Sequence, residues 1–440
     1  MGRVYKRKML ATMASVLVLG GLATTGTSWA ATGSAGGLGN RMFLNGAYNP
    51  RAYAGTTVTF LRYSGYDAPV MKAALPKFTA ETGIKVVMDA VPYTDLHDKM
   101  VTAMASHSSA FDLMSTTDYW LQQFVSAGWL DTLSPYVKDG KITNPAYKLG
   151  DIIPKVLDSN VINGQLYALP WKFNADLLVY RKDMMSAPKT DAEWLKDAQN
   201  AKSKGLKGVG LSLSTADIPE IFLDLTLADG GKFMNSKKTA VAFDSPQGRK
   251  ALTFLVDLSR TAPSGATDRE WPNSADLLAE GVTESDIISG SSIASAATGK
   301  AKGKIGYAAL PTVPGGTPGV MNAWSLMIPK GSKHPQAAWM LAEYLASPIV
   351  TKAMALAGDG ETVPARKSLL TNPALDARFP NFRALEAVGE RASLWPKLTT
   401  LSAIELAMAA PLQDAVLGAK PVAAALKNAA TAADRAMVIP

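Results

Sequence analysis

From residue 57 onward the chain alternates short apolar stretches with amphipathic segments, and this alternation constrains the fold more than any other feature. Val58, Phe60 and Leu61 make a short strand bounded by Gly55 and Gly65. Asp67 is positioned to cap a helix whose Val70, Met71, Ala74, Leu75 and Phe78 share one stripe, with Gly83 as its stop and Pro76 predicting a kink. A second strand is expected at 84–88, a helix at 94–106 through Leu96, Met100 and Met104, and a third strand at 111–114. The next helix should run from Asp118 to a stop at Gly128. Strands separated by helices in this way imply an α/β fold with a parallel, helix-covered sheet.

A second series follows Gly164, with strands expected at 177–180 and 209–213 and helices near 191–204 and 218–227. Ser245 and Pro246 suit the cap and first turn of a helix reaching about residue 260. Strand-like pieces return at 304–310 and 325–329, and from Pro335 the chain reads as mostly helical. No internal repeat is visible. At 440 residues two lobes are expected.

Composition removes most alternatives. The chain has no cysteine, which excludes disulfides, thiolate nucleophiles, Cys-based zinc and iron–sulfur sites and a lipidated N-terminal cysteine. His97, His107 and His334 are its only histidines, too few for most metal or triad chemistry. Residues 1–30 read as a signal peptide: Arg3, Lys6, Arg7 and Lys8, an apolar run at 9–23, then small residues with cleavage expected after Ala30. The apolar run is shorter than the roughly 20 residues a membrane span needs. Without those four basic residues, 41 cationic side chains face 37 acidic ones, so the basicity belongs to export and not to a nucleic-acid surface. Residues 31–55, rich in Gly, Ala, Ser and Asn, read as a flexible leader.

Four blocks carry a family likeness. TVTFLRYSGYDAPVMKAALPKFTAETGIKVVMDAVPY at 57–93 has an opening strand, a helix ending in F-x-x-x-TGI-x-V, and a second strand. FDLMSTTDYWLQQFVSAGWLDTL at 111–133 joins a strand, a loop and a helix. GQLYALPWKFNADLLVYRKDM at 164–184 contains G-x-x-Y-x-L-P followed by a Y-R-K-D strand end. NAWSLMIPKGSKHPQAAWMLAEYLAS at 322–347 carries W-S-hydrophobic-x-IPKGSK-H. The chain therefore resembles the family 1 extracellular solute-binding proteins of ABC importers, the group that includes maltose- and polyol-binding proteins.

That resemblance implies a two-lobed type II (Venus-flytrap) periplasmic binding fold with three crossings between lobes, near 167–170, 307–311 and 357–360. Lobe one would hold 56–166 and 312–356, and lobe two 167–311 and 357–440. The implied function is capture of a carbohydrate or polyol between the lobes and delivery to the permease subunits of an ABC transporter. The implied protein is a periplasmic monomer without lipid anchor, catalysis, metal or cofactor. Residues 265–300 depart from the family pattern, and no ligand contact is carried over to them.

A polyhydroxylated ligand needs paired hydrogen-bonding groups along its edge and flat aromatics against its C–H faces. Trp120, Trp171 and Trp324 fall beside the implied cleft, with core burial as the alternative for each, whereas Trp129, Trp194 and Trp339 sit at helical spacing and read as packing. Asp118 has the competing role of helix N-cap. Asn174 and Asp176 follow the crossover, while Lys172 reads as solvated. Tyr63 and Tyr66 follow the first strand, Asn322 precedes Trp324 by two residues, and Arg366 lies in an element similar to the family's P-x-R-K-S, with a surface salt bridge as its other reading. One rival function is a binding protein for a charged solute, a glycerol phosphoester or polyamine, requiring an Arg/Lys cluster or several carboxylates converging in the cleft. Another is an exported glycosidase built on two carboxylates. The G-x-S-x-A echo at 290–294 lacks a clear strand-to-helix setting, and the glycines at 205–210 lack the placement of a dinucleotide loop.

Overall fold

The computed structural model describes residues 47–65, 67–358 and 360–438; the expected signal peptide, residues 31–46 of the leader, and Tyr66 lie outside the described residues. Residues 47–55, expected to be flexible, instead form turns tied down by hydrogen bonds from Asn49 N–H to Lys141 O and from Gly55 N–H to Gly83 O. Tyr48 and Tyr53 pack against the first core, which the apolar-period reading of a Gly-rich segment had no way to register.

Among the described residues eleven strands form: β1 (Thr57–Tyr63), β2 (Lys85–Val91), β3 (Leu113–Thr117), β4 (Val161–Ile162), β5 (Gln165–Leu166), β6 (Ala168–Arg181), β7 (Lys207–Val209), β8 (Thr283–Ser289), β9 (Ile305–Ala308), β10 (Val320–Met327) and β11 (Ser393–Leu394). The main order is β2-β1-β3-β10-β6-β8-β7, with β11 beside β10 and β9 beside β6. β1, β2 and β3 are parallel, as expected, but β10 runs antiparallel to both β3 and β6. Parallel pairing therefore holds among the first three strands, between β7 and β8 and between β10 and β11, while the central β3-β10-β6-β8 run is antiparallel.

β6 is longer than expected, because it does not stop at Pro170 or Trp171. Proline lacks a ladder N–H, and the pairing accommodates it with a register shift opposite, between Trp324 and Ser325. β7 ends early at Val209: Gly210 lies so close to the Asp286 carboxylate that a Cβ would collide, and Leu211, at φ 56°, donates its N–H to Asp286 Oδ1. β8 escaped the apolar reading since Glu284 and Asp286 interrupt it, yet all seven of its residues are buried. It places the 290–294 segment after a strand, contrary to expectation. Only a four-residue helix, Ile293–Ala296, follows, and the three histidines lie on or beside two helices far along the chain from it, His97 within Tyr93–Ala105, His107 just after it and His334 just before Pro335–Leu345.

Two cores divide the chain differently from the expected boundaries. The first gathers β1, β2, β3, β6 as far as Val179, most of β10, helices Pro335–Leu345 and Pro348–Ala357, the buried residues from Val363 to Ala392, and also Ala275, Leu278, Ile288, Ile293, Ala296, Ala301 and Ile305. The second gathers helices Asp191–Asn200, Ile218–Ala228, Pro246–Ser259, Leu401–Val416 and Val422–Met437. β6 pairs with β10 through Ala175 and with β8 from Asp176, so the first crossing lies at 175–176. Val320 belongs to the second core and Met321 to the first. Trp395 is where the chain re-enters the second core, so the third crossing falls at 393–395 and not at 357–360. The three crossings run side by side, with Asn322 opposite Asn174 and Val320 opposite Ser393. Among the described residues no helix is long and apolar enough to cross a membrane.

Candidate functional site

The parallel strands of the first lobe deliver their carboxyl ends to the junction between the cores, where ligands bind in open α/β sheets. β1 ends in Tyr63, and β3 leads into the helix Asp118–Ser126. Period-two alternation puts Lys172, Asn174 and Asp176 on one face of β6, and the register sets Trp324 opposite Lys172 and Asn322 opposite Asn174. One face of the paired crossing strands thus carries four of the residues expected at the site, Asn174, Asp176, Asn322 and Trp324.

An aromatic wall covers the first-lobe side. The Tyr63 and Trp324 rings lie 4.3 Å apart, and Tyr93 stacks on Trp120 at 5.7 Å and 18° while meeting Trp324 at 5.8 Å. Tyr93 is 50% exposed, and a Cβ at Gly65 would run into the Tyr63 ring, so the turn after β1 needs glycine. Trp120 and Trp324 are nearly buried, each on the edge of this wall. Trp171 is fully buried, its ring 6.2 Å from Trp324, so the structure corrects its expected ligand contact: it supports the wall from the core.

Below the wall lies a buried ion cluster. Asp67, expected to cap the helix Ala68–Thr82, makes no capping bond and instead accepts from Arg62 Nη2 at 2.5 Å and pairs with Lys172 Nζ at 3.3 Å. Burial alone would raise the Asp67 pKa, but Lys172 and Arg62 outweigh it and hold the carboxyl at about 2. Lys172, expected to be solvated, is 2% exposed; its ammonium donates to Tyr63 Oη at 2.5 Å and sits 5.3 Å from the Trp324 ring centroid.

The second-lobe side is acidic. Asp217, Glu220 and Asp224 share one stripe of the helix Ile218–Ala228 and its cap, and Glu405 projects from the neighbouring helix Leu401–Val416. Burial, followed by the neighbouring carboxyls Asp176, Glu405, Asp217 and Asp118, pushes Glu220 well above the carboxylate range. Burial and Asp224 do the same to Asp176, and burial alone carries Glu405 to about 8. Asp118 joins from the first lobe: its Oδ1 accepts the Ala323 N–H at 3.0 Å, and burial raises it to about 7 against that bond, Ser159 and Lys397. Burial, and then the charges of Glu405 and Glu220, raise the Tyr93 hydroxyl to about 12, and burial followed by the same two acids raises Tyr119 well above its ordinary value.

A cavity of about 680 Å³ opens beside Tyr119, between Gln122 and residues 161–163 on one side and Leu223, Leu227 and Phe233 on the other, with the 393–397 segment as its floor. Trp395 meets the edge of Tyr119 at 5.7 Å, and Lys397 donates to the carbonyls of Asp158 and Val161.

The structure thus brings Tyr63, Asp118, Trp120, Asn174, Asp176, Asn322 and Trp324 together. Arg366 is elsewhere, which corrects its expected contact. Buried in the first lobe, it donates to Ala346 O at 2.7 Å and Lys148 O at 2.8 Å beside Asp151, so its guanidinium is spent on the backbone. Sequence reasoning missed Tyr93, Tyr119, Glu220, Glu405 and Trp395. Two acids four residues apart in an otherwise apolar helix, Glu220 and Asp224, were the available signal. Among the described residues no group of three His, Asp or Glu side chains is arranged to hold a metal ion.

Comparison with known proteins agrees with this architecture. A probable amino-acid ABC transporter periplasmic-binding protein of Sinorhizobium fredii is 24% identical over 352 residues, 77% of this chain and 79% of the relative. The mannitol-binding protein of Pseudomonas aeruginosa is 26% identical over 275 residues, 59% of this chain and 62% of the relative. The structure of the sugar-binding protein MalE from Xanthomonas citri superposes with a TM-score of 0.74 at 26% identity, covering 87% of this chain and 97% of that one, and the fold is accordingly that of a type II solute-binding protein. The profile of the bacterial extracellular solute-binding proteins matches residues 59–352, two-thirds of the chain, and the protein belongs to that family.

Proposed function

We propose that this protein captures a carbohydrate or polyol between its lobes and hands it to the permease subunits of an ABC importer. The observation that carries this reading is the face made by β6 and β10 at the crossings, where amide and carboxyl side chains lie beside the Tyr63–Trp324–Tyr93 rings. Aromatic faces suit the C–H side of a sugar, and Asn174, Asn322 and Asp118 supply acceptors and donors for vicinal hydroxyls. The mannitol-binding and MalE relatives support the same ligand class. Site and family together speak for binding without turnover. Closure is a hinge motion about the three adjacent crossings. The N-terminal pattern of residues 1–30 supports export, and we place the mature protein in the periplasm as a monomer.

A thermal-shift screen over sugars and polyols tests the reading. A ligand at 100 times its dissociation constant adds about 2.7 kcal/mol of stability. No shift with any sugar or polyol, amine-bearing ones included, sinks the proposal. Mass spectrometry of the exported protein should find a mature start at or near Ala31, and a chain retaining Met1 contradicts the localisation.

A further inference from the structure

We infer that the end of the second lobe farthest from the crossings is a docking surface for an anionic phospholipid membrane. Strand register defines that end. β6 leaves the first crossing at 175–176 and finishes at Arg181, opposite Ile305 at the start of β9 and one residue past the Tyr180–Ser285 pair near the start of β8. β7 begins beside β8, with Lys207 opposite Thr283. The flanking turns are tied to one another: Lys182 N–H donates to Lys304 O at 2.8 Å, Lys207 N–H to Val282 O at 2.9 Å and Lys204 Nζ to Met184 O at 3.0 Å. Four segments far apart in sequence, 181–184, 202–207, 280–284 and 300–304, therefore share one pole.

Charge is the second observation. These segments hold eight cationic side chains against three acidic ones, an excess of five. Residues 31–440 as a whole hold 41 against 37, an excess of four, so everything outside the pole carries one net negative charge. Lys182, Lys202, Lys207, Lys300, Lys302 and Lys304 are exposed, and among the described residues none of them forms an ion pair. Arg181 pairs with Asp183 at 2.7 Å and Lys204 with the buried Glu284 at 2.6 Å, which leaves Glu280 as the one acid here outside an ion pair. Folding gives no reason to gather these lysines, because like charges at one pole repel one another.

The third observation is what accompanies the charge. The four segments contain no aromatic residue, and none of the large apolar side chains exposed on the described residues belongs to them. Nucleic-acid bases would have no ring to stack on, and nothing is placed to insert among acyl chains. Long lysines act as mobile point charges, which suit a smooth layer of phosphate headgroups, and each adds attraction that salt screens. The export pattern of residues 1–30 and the permease partner proposed above put such a layer beside this protein. Asp176 and Arg181 lie five residues apart along β6, about 16 Å, so a membrane at the pole leaves the crossing strands uncovered.

Co-sedimentation of the exported chain with vesicles tests this, comparing phosphatidylglycerol-containing with pure phosphatidylcholine vesicles. At about 20 mM salt the anionic vesicles are expected to bind about tenfold or more tighter, and about 500 mM salt should remove most of that difference. The triple variant Lys300→Gln, Lys302→Gln and Lys304→Gln should lose most of the preference, and Lys182→Gln combined with Lys207→Gln should act in the same direction. A control triple, Lys72→Gln, Lys85→Gln and Lys141→Gln, changes exposed lysines of the first lobe by the same net charge and should keep the preference. Unchanged melting shows that each variant folds. Equal affinity for the two kinds of vesicle, an equal loss in the pole and control triples, or tighter binding to a single-stranded oligonucleotide than to anionic vesicles at the same salt overturns the proposal. None of these results bears on the carbohydrate reading, which the thermal-shift screen tests separately.

Discussion

Replacing Asp67 by asparagine removes the one negative charge between Arg62 and Lys172. Both cations are enclosed, with side-chain exposures of 0% and 3%. Breaking a buried ion cluster by deleting one partner strands the others, which costs about 3 to 5 kcal/mol. The charge also has a pH signature. Because the folded carboxyl titrates at about 2, below its ordinary value of 3.8, its contribution is fully present above the unfolded pKa and is lost as pH falls through the folded one. The expected loss is about 1 kcal/mol at pH 3 and about 2 kcal/mol at pH 2. Carboxyls raised by burial, such as Asp176 and Glu220, run the opposite way with pH, but they are common to both proteins and cancel in the difference. Urea unfolding of wild type and Asp67→Asn at pH 7, 4 and 3 measures that difference. It should start at several kcal/mol and narrow below pH 4. Equal stability at pH 7, or a gap that stays constant or widens toward pH 3, refutes the reasoning.

Trp324→Ala should weaken ligand binding by roughly 1 to 3 kcal/mol through loss of the ring packed on Tyr63, which calorimetry reads directly. Wild-type affinity combined with a stability loss of about 3 to 5 kcal/mol would instead make it a core residue. Arg366→Ala should lower the melting temperature markedly, with affinity in the folded fraction unchanged, because its guanidinium serves the Ala346 and Lys148 carbonyls; a selective loss of affinity contradicts that placement. Gly319, just before the second crossing, has φ 105°, and a Cβ there would lie 2.5 Å from Asp224 Oδ1. Gly319→Ala should therefore destabilise the fold by about 1 to 3 kcal/mol, as seen by chemical denaturation, and wild-type stability would show that the crossing relaxes freely.

Strands and helices in both lobes were legible where their cues are local. Val58, Phe60 and Leu61 sit deep in the core, the helix that stops at Gly83 does so with a left-handed glycine, and Ser245 caps its helix by accepting the Gly248 N–H at 3.1 Å. The four motif blocks, likewise short stretches of chain, carried the family and with it the two-lobed fold. Tertiary structure decided where the chain changes lobes: β6 passes through Pro170 without a break and crosses at 175–176, because pairing with β10 and then β8 extends it past the residues that read locally as a turn. It also decided which polar side chains face ligand. Asp67 looked like a cap and became the counter-ion of Arg62 and Lys172, and Arg366 looked like a ligand contact and became a backbone anchor. A side chain's partners come from strand register and lobe packing between residues far apart in the chain, and hydrophobic period and capping carry no record of that distance.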